Sequence, residues 1–183
     1  MNDEPFVGVR GFRLSQDVRL MSLFLPTCWA RAEVGPAKCY RQPEGRAPGP
    51  WYACPDASVP PHDAPREGCR CGFGGYHPGA LEHNVAHLDE SDVQAMVIGY
   101  GKVWPGTKAW HAEYARIVAI LTPRLATLAD RLVSRTLPGP EALRTVADRY
   151  GVPLVPREHV KRIAPEFGQV LPFVPDPPQR QFK

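Results

Sequence analysis

The sequence predicts an α+β fold: an antiparallel sheet made from the first two-thirds of the chain, two C-terminal helices packed on one face, and a long Pro/Gly-rich loop. Three observations carry this expectation. Residues 5–34 and 93–121 are rich in β-branched and aromatic side chains, as strands are. Residues 123–151 change to the apolar spacing of a helix with one buried face. The chain also has 22 prolines in 183 residues, about twice ordinary usage, which forces an unusual share of it into turns, edges and extended segments.

The elements follow in order. FVGVRGFRL and VRLMSLFL, joined by SQD, read as a hairpin. In residues 35–79 proline and glycine recur too often for a regular helix or a central strand. A loop of that length inside a compact domain needs something to pin it. GALEHNVAHL, residues 79–88, fits a short helix. DVQAMVIGYGKVW reads as a strand, PGT as a turn, and KAWHAEYARIVAIL as a second strand or strand pair, although Ala112–Leu121 fits a helix equally. PRLATLADRLVSR is an amphipathic helix with Leu125, Leu128, Leu132 and Val133 at helical spacing. In the next helix Pro140 suits the first position, Leu143, Val146, Ala147 and Tyr150 form one apolar face, and Gly151 stops it. VPLVP is extended, and a helical turn surrounds HVKRI. Residues 1–172 are expected to form one domain, with 173–183 a proline-rich tail.

At 43% apolar and 22% charged residues the composition is that of a soluble globular protein. The net charge of +3 and pI near 8.7 come without a basic stripe. Apolar runs are far too short for a membrane span. MNDEPFVGVRGF lacks the features of a secretory signal, so a cytoplasmic, reducing location is expected. There, five cysteines read as free thiols or metal ligands rather than disulfides.

Chemistry concentrates in HDAPREGCRCGFGGY, His62–Tyr76. Thiolates and imidazoles are the ligands that zinc takes in a tetrahedron, and C-x-C, though tighter than the usual spacing, is compatible with it. Two sets could complete the site. Cys39 and His62 lie upstream of Cys69 and Cys71, and together they would staple the proline-rich loop. His83 and His87 lie downstream, four apart and so on one face of a helix, giving C-x-C-x11-H-x3-H, one residue short of a classical finger. Cys54 could substitute in either. A Cys69–Cys71 disulfide would close a small strained ring and pin nothing. Cys28 reads as a core residue.

Other constellations are weaker. His111 and Glu113 share a face on a strand, which a solvated surface explains as well as an acid–base pair. Arginines and lysines of the C-terminal third are offset by neighbouring acids. QVLPF, Gln169–Phe173, is similar to peptides that dock on bacterial sliding clamps, with proline where leucine is usual; its other reading is a strand end tucked on the core. No nucleophile elbow, phosphate-binding loop or H-E-x-x-H occurs.

The order of motifs resembles a group of small uncharacterised proteins of actinobacteria and their phages. The shared pattern is GFR at Gly11–Arg13, AKC ending at Cys39, H-x-A-P-x3-C-x-C-G from His62, and an A-E-x-A segment at Ala112–Ala115. His111 departs from it, standing where the pattern has arginine. The resemblance carries no activity. It implies that Cys39, His62, Cys69 and Cys71 travel together, whereas His83 and His87 lie outside the pattern.

The expected function is therefore that of a small, non-enzymatic accessory or regulatory protein, stabilised by one structural zinc ion and binding a macromolecule, in the first place a protein. Four protein ligands leave no open position for a catalytic water. A finger-like regulator that binds nucleic acid through the His83/His87 set is the second reading. A zinc enzyme with Glu113 or a histidine as base is the third.

Overall fold

The computed structural model describes residues 4–23, 28–29, 32–37, 62–66, 71–83, 85–123 and 138–175. In chain order the strands are β1 (Phe6–Leu14), β2 (Leu20–Ser22), β3 (Glu33–Val34), β4 (Phe73–Tyr76), β5 (Val93–Pro105), β6 (Ala109–Thr122) and β7 (Leu154–Pro156). The helices are α1 (Ala86–Asp89), α2 (Pro140–Tyr150) and α3 (Val160–Ile163), with short 3-10 turns beside them. The fold is α+β: one sheet of seven strands and a few short helices.

Two hairpins form as their sequences predict. β1 pairs with β2, Phe12 opposite Ser22 and Leu14 opposite Leu20. β5 pairs with β6 along most of its length, and Ala112–Leu121 is strand throughout. The sheet is not wholly antiparallel, because β7 runs parallel to β6, with Ile120 opposite Leu154. The chain reaches that edge by passing through α2, and parallel neighbours need a crossover of this kind.

Helices cover both faces rather than one. Leu143, Val146, Ala147 and Tyr150 of α2 pack with Phe12, Trp29, Val97 and Ile117 on one side of the sheet. Tyr150 Oη donates to Trp29 O and accepts from Leu20 N, tying the end of α2 to β2. Gly151 closes α2 in the left-handed conformation, φ 64°. On the other side Val7, Val9, Met96 and Ile98 pack against Ala80, Leu81, Leu88, Val160 and Ala164. The reason lies in β5, whose first seven residues are all buried, so that neither face can be left to water. The helix expected over residues 123–135 lies, apart from Pro123, outside the described residues.

The largest departure is within residues 35–79. Phe73–Tyr76 is a strand, and a central one. It pairs with β6 from Phe73 opposite Ala112 to Tyr76 opposite Ala109, and with β1 through Val9 opposite Tyr76. Since β1 also pairs with β5 and β5 with β6, pairing runs β1–β5–β6–β4 and back to β1 as a closed ring. Register shifts at Met96/Val97 and Tyr100/Val103 bend the β5–β6 hairpin enough for the ring to close. Trp110 fills the ring and is fully buried. Its indole occupies the space that side chains would take at Gly8, Gly75 and Gly99: a Cβ on Gly8 would lie 2.7 Å from Trp110 Nε1, and one on Gly75 2.5 Å from Cζ2. Gly75, which looks like a loop residue in FGGY, is there to admit a tryptophan.

The first residues of the proline-rich tail are docked. Gln169 bridges to Phe6, Phe173 stacks on His83, and Val174 N donates to Thr107 O. This agrees with the core-tucked reading of QVLPF. Residues 176–183 lie outside the described residues.

A methyl group at Gly75 must displace the indole. Gly75→Ala is therefore expected to lower stability by about 1–3 kcal/mol, as overpacking does. At this chain length that lowers Tm by roughly 2–4 °C per kcal/mol in a thermal melt. Gly139→Ala, where nothing lies within 4 Å of an added Cβ, should cost much less.

Candidate functional site

The two ends of the proline-rich segment meet on β6. Ala37 N donates to Glu113 O at 2.8 Å, and Ala64 N donates to Ala37 O at 3.3 Å. Gly72 sits against Ala112, where an added Cβ would lie 3.0 Å from Ala112 O. This anchoring brings His62 and Cys71 together, with Nε2 and Sγ 3.3 Å apart in a partly buried position. Two of the four expected ligands are thus neighbours. Cys39 and Cys69 lie outside the described residues, as does Cys54. Among the described residues no three His, Cys, Asp or Glu side chains converge.

His83 and His87 do not share a helical face. The expected helix over 79–88 is broken: a 3-10 turn runs Pro78–Glu82, His83 follows it with extended backbone (φ −116°, ψ 154°), and α1 begins only at Ala86. His83 stacks on Phe173 at 4.9 Å and His87 on Tyr76 at 6.3 Å. His111 and Glu113 both stand on β6, and Glu113 Oε2 accepts from Lys102 N at 3.2 Å. That carboxylate holds the irregular turn of β5 around Gly101. Cys28 is half-buried and bridges to Met21 beside Trp29.

Two polar groups, one buried and one partly buried, were not singled out from sequence. His77 is fully buried at the tip of the β5–β6 hairpin. Its backbone N donates to Lys108 O, and its Nε2 lies 2.7 Å from Gly106 O. A carbonyl only accepts, so the proton sits on Nε2, leaving Nδ1 buried without a hydrogen-bond partner. Burial holds the His77 pKa below the usual value, against the opposing pull of the Gly106 carbonyl. His87 is likewise lowered by burial, with Glu90 opposing.

The second group is Arg10, in the middle of β1 on the face that carries Gly8 and Phe12. Nη1 donates to Gly74 O at 2.7 Å and Nη2 to Ser22 Oγ at 3.4 Å. Its guanidinium carbon lies 5.7 Å from the Phe12 ring and 5.4 Å from the Trp29 ring. Burial pushes its pKa down to about 10, which leaves it charged at neutral pH. The available signal was a single cation inside the apolar run FVGVRGF.

The chain matches no family model, no curated protein and no solved structure. Its chemistry has to be read from its own residues. No helix among those described is long and apolar enough to cross a membrane.

The histidines give a pH dependence of stability. A histidine whose folded pKa lies below its unfolded value of about 6.5 is held neutral by the fold, so the unfolded chain binds more protons on acidification. The stabilisation is complete above about pH 6.5 and is lost as pH falls through the lowered folded value. Denaturant unfolding between pH 7.5 and 5 should show this loss. His77→Gln should show a shallower one.

Proposed function

We propose that the chain is a non-enzymatic accessory or regulatory protein in which one zinc ion, held by Cys39, His62, Cys69 and Cys71, fastens the proline-rich segment to β6 and shapes a surface that binds a protein partner. The observation that carries this reading is the His62–Cys71 pair, 3.3 Å between Nε2 and Sγ. Two ligands of a tetrahedral zinc, one nitrogen and one sulfur, stand about 3.6 Å apart at ordinary bond lengths. The remaining two ligands are each two residues along the chain from a placed residue: Cys39 from the anchored Ala37, and Cys69 from Cys71. The resemblance to actinobacterial and phage proteins, in which these four positions travel together, supports the same set. Four protein ligands leave no coordination position for a reacting water, so the metal's role is structural. Coordination needs thiolates and a neutral imidazole, so the ion would also make the fold sensitive to chelators and to acid.

The reading of a finger built on His83 and His87 loses support from the broken helix and from the ring stacking of both side chains. A nucleic-acid role would still appear as retention on DNA at low salt that falls steeply as salt rises.

Metal analysis decides the central claim. Purified wild type should carry one zinc per chain. Cys39→Ser, His62→Ala and Cys71→Ser should lose it, and His83→Ala should keep it. Chelation should lower Tm by about 2–4 °C for each kcal/mol of metal-binding energy coupled to folding. A metal-free wild type, or loss of zinc in His83→Ala with retention in His62→Ala, would overturn the assignment.

A further inference from the structure

A guanidinium presents five N–H donors and no acceptor. Arg10 spends two of them, on Gly74 O and Ser22 Oγ, and both acceptors are uncharged. Nε is sealed from solvent and has no hydrogen-bond partner. No carboxylate among the described residues pairs with the side chain. The Phe12 and Trp29 rings beside it are fully buried and meet edge to face at 5.1 Å. Two neutral acceptors and two rings do not replace the water that a guanidinium gives up, and buried charges are otherwise found paired. A purely structural strut between β2 and β4 would need a donor for Gly74 O and Ser22 Oγ, but not a permanent charge. The residue as a whole is only partly buried.

We propose that Arg10 is the receptor for the carboxylate of a small organic acid, which enters between β2 and β4 and pairs with the guanidinium beside the Phe12 and Trp29 rings. The pairing chemistry is that of a carboxylate. The unused donors all lie in the guanidinium plane, and a planar carboxylate can take two of them side by side. The rings also favour an organic acid with an apolar body over a bare inorganic anion. This site is independent of the zinc reading, since it uses neither His62 nor Cys71.

The test uses the full chain, titrated with sodium acetate and sodium benzoate against sodium chloride and sodium phosphate at equal ionic strength. Tm is followed, together with the side-chain Nε–H resonances of 15N-labelled arginine. The expected result is a saturable rise in Tm with the carboxylates beyond that given by chloride or phosphate. The Arg10 Nε–H resonance should shift with the same dissociation constant. In Arg10→Lys that constant should rise roughly tenfold or more, the size of effect expected for a lost charge-assisted bond. Three outcomes overturn the proposal: an equal response to chloride, a response unchanged in Arg10→Lys, or an Arg10 Nε–H that no carboxylate moves. The last can be read on wild type alone, should Arg10→Lys fail to fold.

Discussion

The fit of Trp110 among three glycines is the constraint on which the rest of this fold depends. The indole lies over Gly75 on the strand directly beside it, and over Gly8 and Gly99 on the two other strands of the ring. Burying so large a side chain is worth several kcal/mol. It can be collected only if β1, β4, β5 and β6 are all in place. A single side chain thus makes four strands from distant parts of the chain depend on one another.

Much of this was legible in the sequence, and what was missed has physical causes. The two hairpins showed themselves because their strands are local and bounded by turn residues. α2 showed itself through Pro140, Gly151 and an apolar face that proves buried at Leu143, Val146, Ala147 and Tyr150. β4 did not, because FGGY carries the composition of a loop. Its Gly75 answers to a tryptophan some three dozen positions later, and no local rule sees that. The covering of both sheet faces was written in the unbroken burial of Val93–Gly99, but an apolar run alone does not distinguish a doubly covered strand from other buried segments.

The candidate site divides in the same way. HDAPREGCRCGF drew attention through residue type and spacing, and His62 and Cys71 do meet. The downstream histidines had equally good spacing on the assumption of a helix, and the chain does not form one there. Arg10 and His77 were hidden because a single polar residue among apolar ones has no period to reveal it. Such residues become conspicuous only when burial and bonding partners can be counted. In both, a side-chain nitrogen is enclosed without a partner.

The closed ring also bears on how the chain reaches its native state. β4 has no partner on one side until residues 109–112 exist, and none on the other unless β1 is already in position. During synthesis the proline-rich segment must therefore leave the ribosome ahead of the strand that will hold its end. The β5–β6 hairpin can form from local contacts alone, but seating β4 closes long stretches of chain at an entropic cost, and contacts of that kind come late and slowly. The Cys71 thiol, just before β4, is thus exposed before the sheet can partly shelter it. The proposed zinc would accordingly be acquired at the end of folding rather than at its beginning.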